Sequence, residues 1–393
     1  MSDLVVTGGA GGVEVAVEDL RHAASRLRAS ADEIERVVPE RWRAPPWDLL
    51  TASSDLAHLV VRARLASAAA TDAVQHGVER LRGLAASTDR AASAYEQAEA
   101  TARGVVAGLH DQAMSIAWLV SRATGRAFGV LDEGRGWDVS VTAVPAPDCV
   151  PVPTTTDSLL AGVETLGDHD SSGGVRVVEL DAADGTTTWV VQVPGTHGGW
   201  VEGGSVPMDW PANVSLMLGA TSASKLATER ALSLAQGGRG SSRDRVVLVG
   251  HSQGGIVAAA LASDPAFARR HRVTHVITAG SPIDDFPVPA TTQVLSLQHR
   301  TDPVHALDLS PPPDRRSWTT VEASAPVAVR SHLTAGAHAL SAYRSTAADV
   351  DRSDDVSLRA WRASLGPVLA TAPGAQPVVH EFRSERRWQN RDS

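Results

Sequence analysis

The stretch "VVLVGHSQGGIVAAAL", residues 246–261, joins a run of branched apolar residues to an alanine-rich segment. The junction is Gly250-His251-Ser252-Gln253-Gly254. An all-apolar run of this length reads as a strand buried on both faces, and the segment after it as a closely packed helix. The turn between them must be tight, and glycines two residues before and after Ser252 relieve its crowding. Such a turn lifts one side chain clear of the sheet and aims the amino terminus of the helix at it. The Gln253 backbone N–H then points at any negative charge that develops beside the serine. Ser252 is therefore a candidate nucleophile, which needs a base to take its proton. The competing reading is a structural turn.

The sequence around this motif has two grammars. Residues 10–123 read as helix, a hairpin or bundle. Leu20, Ala24, Leu27, Ala31, Ile34 and Val38 step by four and three, the spacing of one apolar seam. Pro39 and Pro45-Pro46 end that helix. A second seam runs through Leu56, Val60, Ala63, Ala70, Val74, Leu81, Leu84, Ala91, Tyr95 and Ala98, and a third helix is predicted over about 102–122. Residues 124–173 read as a linker with a short helix around Leu159 to Leu166, because "VPAPDCVPVPTTTD" is rich in Pro and Thr. Residues 174–376 alternate strand and helix patterns. "VRVVELD" and "TTTWVVQV" flank a turn at Asp184-Gly185, and "THVITAG", "TQVLSLQ" and "SWTTVEAS" follow. The predicted class is α/β, a mostly parallel sheet flanked by helices and preceded by an all-α domain. The arginine-rich end, residues 377–393, is predicted to be a mobile tail.

Two resemblances attach to these motifs. "LVGHSQGG" together with "VVQVPGT" resembles the lipase and esterase branch of the α/β-hydrolase superfamily, over about residues 174–350. The helix, "RWRAPPW" turn and second helix resemble, more distantly, the Trp-x-Gly helical hairpins of type VII secretion. Trp42 is present there, and Ala44 stands in place of the family's glycine.

The hydrolase resemblance implies a triad in the chain order Ser, acid, His. The acid is expected past the strand "VLSLQ", which selects Asp302, with Asp284 and Asp285 as alternatives. The base is expected beyond the last strand, where His338 opens a helix and His332 is the alternative. The other histidines, including His251, His299 and His305, are expected to fill space or lie exposed. The second oxyanion donor is expected from the loop "VPGTHGG", at Thr196 or else His197. Only about a dozen residues, 281–292, separate "VITAG" from "QVLSLQ", too few for a lid at that point. Two regions are expected to take its place: residues 197–214, where Trp200, Met208 and Trp210 offer apolar walls, or the helical hairpin folded over the site.

The implied activity is serine hydrolysis of a carboxylic ester, with a small-molecule acyl ester or lipid-like substrate. Acyl transfer or thioester hydrolysis would use the same residues. A different account makes the chain a secretion-linked protein that binds a protein partner through its N-terminal helices. A net charge of −9, from 36 Lys plus Arg against 45 Asp plus Glu, opposes a nucleic-acid partner. No motif has metal-ligand spacing, and no cofactor is expected. Cys149 is the single cysteine. No stretch is long and apolar enough for a transmembrane segment or a cleavable signal, so the expected location is cytoplasmic, or exported by another route.

Overall fold

The computed structural model describes residues 4–41, 61–62, 65–90, 92–93, 133, 136–147, 149–169, 173–197, 204–325 and 336–388. Trp42, Ala44, Trp200, His332 and the third helix predicted over 102–122 lie outside the described residues. The chain divides into two compact units, Val13–Ala102 and the remainder.

In the first unit, α1 (Val13–Arg41) faces a second helix, α2 (residues 65–90). The side chains buried between them are small and recur every seventh residue: Val17, Ala24 and Ala31 on α1, and Val78 and Ala85 on α2, with Ala92 one heptad further on. That is a heptad seam of short side chains, which lets the backbones approach closely. Arg82 bridges Asp32 at 2.8 Å and Glu35 at 2.6 Å across the pair. The seam on α2 is displaced from the predicted one: Leu84 is exposed, and its neighbour Ala85 is fully buried. Large apolar side chains suggested that stripe, whereas close approach selects alanine.

The second unit holds a nine-stranded sheet. In chain order its strands are β1 (Val5–Gly8), β2 (Trp137–Val144), β3 (Val175–Asp181), β4 (Thr187–Val193), β5 (Arg245–His251), β6 (Arg272–Ala279), β7 (Gln293–His299), β8 (Trp318–Ala323) and β9 (Val378–Trp388). Their spatial order is β1-β8-β7-β6-β5-β4-β3-β9-β2. Strands β4 to β8 pair in parallel, and the two flanks pair antiparallel. This is a mixed sheet, mainly parallel at its centre and flanked by helices, as in an α/β-hydrolase fold. β5 is the middle strand.

The pattern of β5 explains its position. Val246 and Leu248 pack into the core on one face, and Val247 and Val249 into the core on the other. A strand apolar on both sides must be covered twice. Helices α3 (Thr156–His169), α8 (Leu340–Arg352) and α9 (Val356–Leu369) contribute to one layer, and α4 (Trp210–Met217), α5 (Ala223–Gln236), α6 (Gln253–Ala262) and α7 (Pro265–Arg270) to the other. Each fully buried Val or Ile here contributes about 1.5–3 kcal/mol. Among the described residues no helix is long and apolar enough to cross a membrane.

The structure differs from the predicted boundaries at three places. The first strand, β1, precedes the helical unit and borders β8 at the sheet edge. The predicted linker 124–173 contains β2 as well as α3. Residues 378–388 of the end predicted as a mobile tail form β9, held between β3 and β2. Its residues alternate, with Phe382, Ser384 and Arg386 buried and Arg383, Glu385 and Arg387 exposed.

Arg386 is the reason an arginine-rich end can enter a sheet. Its guanidinium is fully enclosed and meets Asp209 at 2.5 Å and Glu133 at 2.6 Å. It also donates to the Gly204 carbonyl at 2.8 Å. Two carboxylates compensate one buried cation, and their partners lie more than a hundred residues away in the sequence. Removing the cation leaves two buried anions without it, which typically destabilises by about 3–5 kcal/mol. Urea denaturation of Arg386→Met is expected to read a loss of that size; a loss below about 1 kcal/mol would mean the cluster is screened by solvent.

Candidate active site

Ser252 sits where β5 becomes α6, with φ 52° and ψ −119°. A non-glycine residue in this region carries strain of about 1–3 kcal/mol, tolerated only where the surroundings enforce it. Two features enforce it here. The Ser252 N–H donates to the Ala279 carbonyl of the neighbouring strand at 2.9 Å. The helix also packs directly against β4: a Cβ at Gly254 would lie 2.1 Å from the Val193 oxygen, and one at Gly250 2.1 Å from the Gly254 carbonyl carbon. The two flanking glycines are thus a packing requirement of the turn.

The three residues selected from the sequence meet at the carboxyl end of the sheet. His338 Nε2 lies 3.0 Å from Ser252 Oγ, and His338 Nδ1 lies 2.7 Å from Asp302 Oδ2. Asp302 follows β7 through a short turn, in which its N–H donates to the His299 carbonyl at 2.9 Å. His338 lies in the turn that leads into α8. A nucleophile, a base and an acid that orients the base can run proton transfer in this geometry.

Asp302 is buried, and burial alone would raise its pKa; hydrogen bonds from His338 and Tyr343 outweigh it and hold the carboxyl below its ordinary range. The Tyr343 hydroxyl donates to Asp302 Oδ2 at 2.6 Å and accepts the His299 N–H at 3.2 Å. Burial, followed by the charge of Asp302, pushes the Tyr343 pKa well up, so the phenol stays a donor. Gly280, with φ 60°, is the floor beneath these groups: a Cβ there would lie 2.9–3.1 Å from Tyr343, Asp302 and His338.

Three supporting residues were not legible as such in the sequence. His251, expected to fill space, lines the cleft, and its Nε2 donates to the His338 carbonyl at 2.8 Å. Burial, followed by the nearby His338, lowers its pKa to about 4. The ring is therefore neutral near pH 7, and its centroid lies 4.9 Å from that of His338. His299 is fully buried, stacks on Tyr343 at 3.9 Å and contacts the Ala337 carbonyl at 2.8 Å. These two rings and Tyr343 fix the main chain and the acid of the cluster. Only the x of G-x-S-x-G could have pointed to His251.

The amides proposed to face an oxyanion are also in place to be compared. Gln253 is the first residue of α6, so its N–H has no acceptor within the helix. The His197 N–H already donates to the Met208 carbonyl at 2.8 Å, which disfavours His197 and leaves Thr196. A Cβ at the preceding Gly195 would lie 3.4 Å from Ser252 Cβ, so this loop abuts the serine.

A cleft of about 450 Å³ opens over Ser252 and His338. Val163, Trp210, Val304 and Leu340 supply apolar wall, with Glu164 and Ser341 as polar lining. Met208, expected in the wall, is instead fully buried in the core under α4. Among the described residues no group of three or more His, Cys, Asp or Glu is placed to hold a metal ion.

The alternative acid Asp284 is placed elsewhere. Its Oδ2 accepts from Gln298 Nε2 at 2.9 Å, and its N–H donates to Asp308 at 2.7 Å. Burial, reinforced by the Asp308 charge, raises its pKa to about 8. The unfolded chain releases this proton near pH 4. Between about pH 4 and 8 the folded state holds the extra proton, so the group's contribution to stability falls as pH rises. Asp284→Asn is expected to show a smaller drop in Tm between about pH 5 and 8 than the native chain, with the larger gain at pH 8. Parallel Tm–pH curves for the two proteins would contradict a buried, protonated Asp284.

Residues 213–334 match the family model described as PGAP1-like alpha/beta domain. That family is a member of the α/β-hydrolase superfamily, and the match supports a hydrolase-type function. The match spans β5, the serine turn and Asp302, and stops before His338. Nothing in it supports the likeness to type VII secretion hairpins. No curated protein and no solved structure matches the chain significantly.

Proposed function

We propose that this protein is a serine hydrolase of carboxylic esters, acting through Ser252, His338 and Asp302. The observation that carries this reading is the unbroken hydrogen-bond chain from Ser252 Oγ through both nitrogens of His338 to Asp302, at 3.0 and 2.7 Å. It begins at a serine held in a strained backbone conformation. Structural turns do not require that strain together with a base in line.

In the first half-reaction Ser252 Oγ attacks the ester carbonyl carbon while His338 Nε2 takes the hydroxyl proton. The carbonyl electron pair moves to oxygen, where the Gln253 and Thr196 amides receive it. Asp302, ionised and held by Tyr343, stabilises the imidazolium and keeps Nδ1 protonated. Collapse breaks the bond to the leaving alcohol, which departs with the proton from His338. Water then attacks the acyl-enzyme, His338 accepts its proton, and the second collapse returns that proton to Ser252 and releases the acid.

The cleft supports an ester whose acyl or alcohol part is apolar and of modest size. Its walls are mainly hydrophobic, and 450 Å³ lies in the range of small-molecule sites.

Turnover of p-nitrophenyl butyrate checks the roles. Ser252→Ala is expected to reduce kcat/KM by about 10⁴ or more with its thermal unfolding unchanged in cooperativity. Asp302→Asn should fall by a comparable factor, because the amide N–H can donate to Nδ1 and hold the imidazole in the tautomer whose Nε2 already carries a proton. Ser252→Ala enzyme that keeps native turnover would remove this residue as nucleophile.

A further inference from the structure

The two residues whose amides would receive the oxyanion have their side chains tied to the same short helix. Gln253 is fully buried, and its Nε2 donates to the Asp209 carbonyl at 3.0 Å. Asn213 Nδ2 donates to Thr196 Oγ1 at 3.0 Å. Asp209 is the N-cap of α4, its Oδ1 accepting the Ala212 N–H at 3.0 Å, and Asn213 lies one turn further on. The Met208 carbonyl, just before the cap, takes the His197 N–H. The start of α4 therefore reaches both sides of the space in front of Ser252, by side chain toward Thr196 and by backbone toward Gln253.

This bracket is itself held from below. The Asp209 carboxylate is gripped by Arg386 at 2.5 and 3.2 Å, and the Arg386 N–H donates to the Ser205 carbonyl at 2.6 Å. The segment Gly195–His197 has no regular secondary structure of its own. Its position against the serine turn is set by its neighbours, and the Asn213 and Met208 tethers both come from the beginning of α4.

We propose that the first turn of α4 is the positioning element of the oxyanion hole, with Asn213 a positioning residue that acts through Thr196. Asp209 acts through Gln253, and the C-terminal strand anchors the whole through Arg386. The inference rests on the serine-hydrolase reading above. Physically, Asn213 touches no reacting atom; it fixes how far the Thr196 N–H lies from the developing oxyanion. Electrostatic stabilisation by a fixed donor is lost when the donor drifts, and a shift of about 1 Å can lower the rate by about 100-fold. Ground-state binding in the cleft, by contrast, does not depend on that distance.

The test compares Asn213→Ala, Thr196→Val and the double variant with the native enzyme. Thr196→Val keeps the backbone N–H and removes the hydroxyl tether alone. Turnover of p-nitrophenyl butyrate is measured per active site, counted from p-nitrophenolate released by diethyl p-nitrophenyl phosphate. Each single variant is expected to lose about tenfold or more in kcat per titrated site, with KM within about twofold. The double variant should be no worse than the weaker single, because both substitutions cut one tether. Unchanged kcat per titrated site in Asn213→Ala, or losses that multiply in the double variant, would overturn the inference while leaving Ser252 in its role. Native enzyme that releases no stoichiometric p-nitrophenolate would remove the serine reading itself, and this inference with it.

Discussion

The close approach of α6 to β4 and β5 is the constraint on which the site depends. Because Gly250 and Gly254 leave no side chain between these backbones, the chain must reverse within the residues that separate them. Ser252 takes up that reversal in a backbone conformation rare for a side-chain-bearing residue. The strain is held by the packing of apolar strands on both faces of the sheet, so the conformation of Ser252 is a consequence of the core. What the turn yields is a half-buried hydroxyl on the cleft, an amide at the head of a helix with no acceptor within it, and proximity to the ends of β6 and β7. Asp302 arrives from the end of β7, Thr196 from the loop after β4, and His338 from the turn that leads into α8.

The rest of the molecule fixes these arrivals by buried polar contacts. Asp302 keeps its charge in a buried position because His338 and Tyr343 both donate to it. The histidine turn is gripped at two successive carbonyls, Ala337 by His299 and His338 by His251. Farther out, Arg386 joins Glu133 and Asp209, and so couples the last strand to the helix beside the serine. Each such group would be destabilising alone in the interior. Paired with one another, they specify one arrangement of loops that apolar packing by itself would leave loose.

The central sheet was legible because it obeys local rules. The apolar runs of β3 to β8 lie close in sequence to the turns that bound them, and the serine motif carries its own geometry in its glycines. Asp302 and His338 were selected by the chain order that the hydrolase resemblance implies, and the structure brings both within hydrogen-bond reach of one another. The outer parts obey no local rule. β1 and β9 each pair with strands hundreds of residues away or across the whole unit. Nothing in "EFRSERRW" announces that one of its arginines meets two buried carboxylates. The seam of α2 was misplaced for a similar reason: hydrophobicity ranked Leu84 above Ala85, and the spacing of two backbones decided otherwise. His251, Tyr343 and Asn213 escaped notice because their work is done through carbonyls and hydroxyls of other residues, a relation visible only in three dimensions.

The proposed hydrolysis requires that the Ser252 oxygen be made nucleophilic by the imidazole 3.0 Å away. Reaction with an alkyl fluorophosphonate, followed by intact mass and peptide mapping, addresses it directly. The predicted result is a single stoichiometric adduct on Ser252 that forms near neutral pH and is lost in His338→Ala. No adduct, or one carried by another residue with Ser252 unmodified, would contradict it.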